Sequence, residues 1–302
     1  MTPAVRARAA AGVHLSGIRR CWDRVMTTMI QISDTHLSGD GHPEHGLVDT
    51  AAVLESALGK VLASGVDVKA LLLTGDLADE GAPQAYRRLR ELVEPAAEKL
   101  GARLIYAMGN HDERAAFHTE LLSTVDKGSV DAVHWIDGLR VVVLDSTTPG
   151  RHEGRLEPEQ LEWLRRELAT PAPLGTVLVV HHPPLPSPVP TVHLLRLRDS
   201  AALAGVLRCS DVGMVLTGHA HRTGCGALAG VPVWVSPAIA YRVDALPPRA
   251  RLRGVTGSGF SRIDLIDGVF VATALDLGPA TPAYEHDEAG RLRLVRAATG
   301  LS

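Results

Sequence analysis

The chain is poor in aromatic residues, at 4% of 302. A core of this size must therefore be built from Val, Leu, Ile and Ala. Cysteine is scarcer still: Cys21, Cys209 and Cys225 are the only three. Three scattered thiols cannot make a disulfide framework, and without a CxxC pair they do not make a thiolate zinc site. They read as buried or incidental thiols of a reducing cytoplasm. No apolar run approaches the roughly 18–20 residues of a membrane span. There is no basic stripe either; Lys and Arg (31) nearly balance Asp and Glu (34). The charge pattern thus gives no case for a nucleic-acid partner. What remains is a protein with 45% apolar and 22% charged residues, ordinary for a globular domain.

Residues 1–28 are rich in Ala and Arg and lack the continuous apolar stretch of a secretory signal. They are expected to be a poorly ordered extension, with a basic leader or a start-site artefact as alternatives. The folded domain is expected over 29–277, and 278–302 is expected to be a C-terminal tail.

Within 29–277 the pattern is layered. Strands are predicted at 29–33, 68–74 and 103–108, alternating with helices at 50–64 and 83–100. The 68–74 strand, VKALLLT, is apolar throughout, as a strand covered on both faces should be. A hairpin follows at 132–144 around Asp137-Gly138. Then come a helix at 157–169, a strand at 176–180, a helix at 201–207 and a strand at 212–217. Beyond 224 the chain reads as antiparallel strands, with another Asp-Gly turn at 267–268. This order predicts an α/β protein with two packed sheets and helices outside.

The polar residues fall where the strands end. The first strand runs into Asp34-Thr35-His36, the second into Gly75-Asp76, and the third into Gly109-Asn110-His111-Asp112. The strand at 176–180 ends in His181-His182, and that at 212–217 ends in Gly218-His219-Ala220-His221. Carboxyl ends of strands face the ligand crevice of open α/β sheets. Two carboxylates, an amide oxygen and several imidazoles would gather there. That donor set suits iron, manganese or zinc. It exceeds the needs of one ion, and a carboxylate bridging two ions explains the surplus.

Any single histidine of the 14 can be a core or surface residue. His14, His42, His45, His118, His134, His152, His193 and His286 are assigned that role, although His42 and His45 lie close enough to rim the site. Asp79 reads as a turn or cap residue, and Arg114 as a surface ion pair. Thr35 and Thr74 read as bonded to backbone. Asp112 either orients His111 or caps the next helix, and His182 packs behind His181.

The order D-x-H, G-D, G-N-H-D, H, G-H-x-H resembles the calcineurin-like metallophosphoesterase signature. The stretches ISDTHL, TGDLAD, AYRRLRELVEP, MGNHDERA, VVHHPP and TGHAH look like the bacterial class III cyclic nucleotide phosphodiesterases, especially the actinobacterial branch. The likeness covers about 29–240; the leader and the Arg-rich stretch 241–256 depart from it. It implies a four-layer α-β-β-α sandwich of two mixed sheets. It also implies one metal on Asp34, His36, Asp76 and His221, and a second on Asp76, Asn110, His181 and His219. Iron and manganese are the implied pair, with zinc or another divalent ion as substitutes. His111 would serve the leaving group, and Asn110 would also contact the phosphate. His36, Asp76, Asn110, His111 and His219 would face the substrate. The implied reaction is hydrolysis of 3′,5′-cyclic AMP or a 2′,3′-cyclic nucleotide by a metal-activated water. Another phosphodiester or a phosphomonoester is the alternative, and a non-catalytic binding protein is disfavoured by the intact ligand set. The family likeness also admits a homodimer.

Overall fold

The computed structural model describes residues 26–300. Its elements, in chain order, are β1 (Met26–Ile32), α1 (Thr50–Ala63), β2 (Val68–Thr74), α2 (Pro83–Leu100), β3 (Arg103–Ala107) and α3 (Arg114–Glu120). There follow β4 (Ala132–Ile136), β5 (Leu139–Leu144), α4 (Pro158–Glu167), β6 (Thr176–Val180), α5 (Pro190–Leu194), α6 (Ser200–Leu207) and β7 (Val212–Thr217). The last are β8 (Gly224–Leu228), β9 (Val231–Val235), β10 (Arg242–Val243), β11 (Gly254–Val255), β12 (Gly259–Ile266), β13 (Val269–Asp276) and α7 (Glu288–Thr299).

Two mixed sheets form the centre. One has five strands in the order β13-β12-β1-β2-β3, and the other six in the order β4-β5-β6-β7-β9-β8. The period-two alternation of each strand decides which layer a side chain joins. In β2, Ala70 and Leu72 face the layer between the sheets, where they meet Val141, Val143, Val177, Val179 and Leu216. Leu71 and Leu73 face the other way, against Leu54 and Val61 of α1 and Leu89 and Val93 of α2. On the far side, Leu178 and Val180 of β6 pack against Leu161 and Leu164 of α4 and Leu203 and Leu207 of α6. The result is the four-layer α-β-β-α sandwich that the family likeness implies, built almost without aromatic residues.

Local chemistry sets the helix ends. Asp49 caps α1 by accepting from the Ala52 N–H, and Gly101 closes α2 in the left-handed conformation. Cap position also settles Asp112: Glu113, not Asp112, caps α3 by accepting from Ala115 and Ala116. Three features add to the sequence reading. The first strand starts at Met26, and 1–25 lie outside the described residues. The segment expected as tail carries α7, capped by Asp287, with no buried residue. Cys209 and Cys225 are exposed, the incidental rather than the buried case. Among the described residues no helix is long and apolar enough to cross a membrane.

Candidate metal centre

β1, β2 and β3 run parallel in one sheet, and β5, β6, β7 and β9 run parallel in the other. The carboxyl ends of β1, β2, β3, β6 and β7 therefore supply the five polar loops. Main-chain bonds fasten these loops together. Asp34 N–H donates to Gly75 O at 3.0 Å, and His36 N–H to Asp76 O at 3.0 Å. Side-chain bonds also cross between the sheets at this end. Gln31 Nε2 donates to Thr217 O at 3.1 Å, and His181 Nδ1 pairs with Thr74 O at 2.8 Å. Asp34 itself reaches the sixth-strand sheet by accepting from the His219 N–H at 2.9 Å.

Convergence on this scale strains the backbone. Asp34, His36, Asp76, His219 and His221 all have positive φ, from 42° to 64°. Such conformations cost of order 1–3 kcal/mol each and persist where the surroundings impose them. The motif glycines allow the close approach. A Cβ on Gly109 would lie 2.2 Å from Asp76 N and Oδ1, and one on Gly218 would lie 1.9 Å from Ser33 Oγ. Gly75 would press the same way on the His181 ring, at 2.3 Å from Nδ1.

Two groups of donors result, and they share Asp76. Asp34, His36, Asp76 and His221 form one; Asp76, His181 and His219 form the other. The first group is arranged around a point that favours a cation. His36 Nδ1 is bonded to Asp79 Oδ1 at 2.9 Å, and His221 Nδ1 to Tyr241 O at 3.2 Å. In the neutral tautomers that donate those protons outward, both Nε2 atoms carry lone pairs, and the two atoms lie 3.1 Å apart. In the second group and beside it, His181 Nε2, His219 Nδ1 and the neighbouring Asn110 Oδ1 are buried with no hydrogen-bond partner. Buried polar atoms are rarely left so. His181 Nε2 stands 3.1 Å from Asp76 Oδ2, but outside hydrogen-bond alignment. Three orphaned donors beside one buried carboxylate fit a metal ion, and the harder oxygen and imidazole set suits a transition metal.

The negative charge gathered here draws protons onto two of the rings: against burial, the bond to Asp79 raises His36 and the charge of Asp76 raises His181 to about 9, so a cation binding there would displace those protons. Burial, followed by the charge of His36, holds His221 neutral, well below its ordinary pKa. Burial and His181 push His219 down to about 3. Both rings thus keep a free lone pair at neutral pH. Burial opposes the charge on Asp76, yet His181 and His36 outweigh it and hold the carboxylate ionised. Burial likewise opposes charge on His111, but its bonding to Asp79 and the charge of Asp76 raise it to about 10.

Every residue that the sequence placed in the centre lies on its wall or in its floor. His36, Asp76, Asn110, His111, His219 and His221 line a cavity of about 560 Å³, while Asp34 and His181 are fully buried beneath it. Several neighbours take other places than the sequence suggested. Asp79 is no mere turn residue. Its carboxylate holds His36, and its carbonyl pairs with His111 Nδ1 at 2.8 Å, with Oδ1 3.3 Å away. Asp112 accepts from the N–H groups of Leu77, Ala78 and Gly109 and from the Tyr86 hydroxyl, so it moulds the loop after Asp76. His152, set aside by sequence, lines the cavity together with Tyr241, and His45 lines it as its place in the loop after His36 allowed. Arg114 pairs with the buried Asp145 at 3.1 Å, away from the cavity. His182 packs as expected, its Nδ1 2.7 Å from Ser146 Oγ. Thr35 bonds the Leu77 carbonyl, also as expected.

Comparison with known proteins agrees with this geometry. A family model described as calcineurin-like phosphoesterase matches residues 27–223. The chain is 41% identical over 275 residues to the cAMP/cGMP dual specificity phosphodiesterase MT0825 of Mycobacterium tuberculosis, covering 90% of this chain and 86% of that protein. It is 42% identical to a probable cyclic nucleotide phosphodiesterase of Rhodococcus erythropolis, over 83% of each. Among solved structures, a dimetal phosphatase from Danio rerio superposes with a TM-score of 0.59 at 15% identity, over 84% of this chain and 99% of that one. With its motif residues gathered at the strand ends of the same two-sheet fold, this chain belongs to the calcineurin-like phosphoesterase family.

Proposed function

We propose that the chain is a phosphodiesterase that uses two metal ions to hydrolyse cyclic nucleotides to nucleoside monophosphates, with 3′,5′-cyclic AMP and 2′,3′-cyclic nucleotides as the substrates to test first. The observation that carries the reading is the pair of donor groups sharing Asp76, with three atoms in and beside them buried and unpartnered. The relatives that match along most of the chain are named for cyclic nucleotides, which supports the substrate. Asp34, His36, Asp76 and His221 would hold one ion, and Asp76, Asn110, His181 and His219 the other. Iron and manganese are the proposed pair, and the cytoplasm is the proposed compartment. Such ions, when bound, acidify a water nucleophile and neutralise charge developing on the phosphate oxygens.

The protein groups do the rest. Asp79 holds the His111 ring through Nδ1, which leaves Nε2 to serve the cavity. In the reaction the water oxygen forms a bond to phosphorus and the bond from phosphorus to the ribose oxygen breaks. His111 gives its proton to that departing oxygen. The Asn110 amide nitrogen, beside the orphaned Oδ1, is free to donate to a phosphate oxygen. Cyclic and acyclic diesters should be cleaved while p-nitrophenyl phosphate is largely spared. A panel of 3′,5′-cyclic AMP, 2′,3′-cyclic AMP, bis-p-nitrophenyl phosphate and p-nitrophenyl phosphate tests this on manganese-supplemented enzyme. Turnover of the monoester alone would overturn the reading.

A further inference from the structure

The cavity is larger than its polar floor. Beside the histidines, its wall is apolar: Leu47 and Val48 after β1, Val192 and Leu195 at α5, and Leu252 and Val255 at the β10–β11 pair. None of these six side chains is buried. Leu47 is 78% exposed and Leu252 58% exposed. Exposed apolar side chains lining a cavity with a polar floor are the usual lining for the non-reacting part of a small ligand. The wall carries little directed polarity. Arg253 also lines the cavity, but its Nε donates to Asp244 at 2.9 Å. The other polar side chains there, besides the metal-centre residues and His45 and His152, are the hydroxyls of Thr191, Tyr241 and Thr256, and a hydroxyl can either donate or accept.

We propose that this wall is the nucleobase subsite, with Leu252 and Val255 as its specificity-determining side chains; the inference rests on the cyclic-nucleotide reading above. The wall covers the flat face of a base and offers its edge only adaptable hydroxyls. It therefore selects for the presence of a base more than for its identity. The β10–β11 pair lies in the 241–256 stretch that departs from the family pattern, so the substrate preference of this chain is written there.

The test compares kcat/KM for 3′,5′-cyclic AMP with that for a 3′,5′-cyclic ribose phosphate lacking the base. The wild type should prefer the nucleotide by about 10²-fold, and Leu252→Ala with Val255→Ala should cut that preference at least tenfold, mainly through KM. Leu246→Ala removes a side chain that is 90% exposed and does not line the cavity, and should leave the preference unchanged. An unchanged preference in the double variant, or a wild type that cleaves both compounds equally, overturns the subsite. A wild type that cleaves bis-p-nitrophenyl phosphate but neither of these compounds nor 2′,3′-cyclic AMP overturns the cyclic-nucleotide reading, and the subsite with it.

Discussion

Replacing Asp79 by Asn removes a negative charge from beside His36 and His111 while keeping the shape of the side chain. Asp79 Oδ1 is 2.9 Å from His36 Nδ1 and 3.3 Å from His111 Nδ1. Hydrogen bonding to this residue is the first of the influences that raise His111, against burial, to about 10. An opposite charge at such distances typically shifts a pKa by about 1–3 units. His111 is 35% exposed, so solvent trims the effect, and about 1–2 units is expected. The sign follows from the role. His111 must be protonated to serve the leaving group, so kcat/KM falls as pH rises through its pKa. Losing the carboxylate lowers that pKa and moves the alkaline limb to lower pH. Bound cations lower the limb in both proteins, so the shift between them is the quantity to read. The same change loosens His36, and metal affinity should fall about 10–100-fold. The profile is therefore measured at saturating manganese, on bis-p-nitrophenyl phosphate. An alkaline limb that stays in place while turnover drops would refute the coupling of Asp79 to His111.

Three further outcomes are expected. His111→Ala should keep the metals and slow turnover by about 10²–10⁴-fold, with a smaller loss for diesters bearing good leaving groups; an equal loss across a leaving-group series would remove the proton-donor role. Gly109→Ala would drive a Cβ to 2.2 Å from the Asp76 backbone and carboxylate, so metal content measured by emission spectroscopy should fall together with activity; full metal loading would contradict that packing. Arg140→Met leaves Asp211 without the partner that Arg140 Nη2 supplies at 2.8 Å, in a site where Arg140 is 4% exposed. Stability in urea should drop by about 3–5 kcal/mol, whereas a change under 1 kcal/mol would mean that the pair is solvent-screened.

The sequence reveals the centre because each of its ligands is tied to a strand end, and apolar runs such as VKALLLT mark strand ends locally. Asp34, Asp76 and His181 could be found that way without knowing what lies across from them. Asp79, Asp112 and Tyr241 could not. Asp79 acts through a histidine 43 positions earlier, and Tyr241 through its carbonyl on His221, 20 positions away. A residue whose function is to hold a distant partner has the same composition as a turn or cap. The apolar wall was hidden for the same reason, since Leu47, Leu195 and Leu252 meet only after the chain has crossed both sheets. α7 was missed because it buries nothing and so leaves no apolar stripe to read.

The bridging role of Asp76 is the centre of the account, and metal stoichiometry tests it most directly. Wild-type protein and Asp76→Ala, both loaded with manganese and then desalted, are compared for metal per chain and for bis-p-nitrophenyl phosphate turnover. Two ions per chain are predicted in the wild type, with loss from both sites and loss of turnover in the variant. A variant that retains two ions, or a fully active wild type with one, would contradict the shared centre.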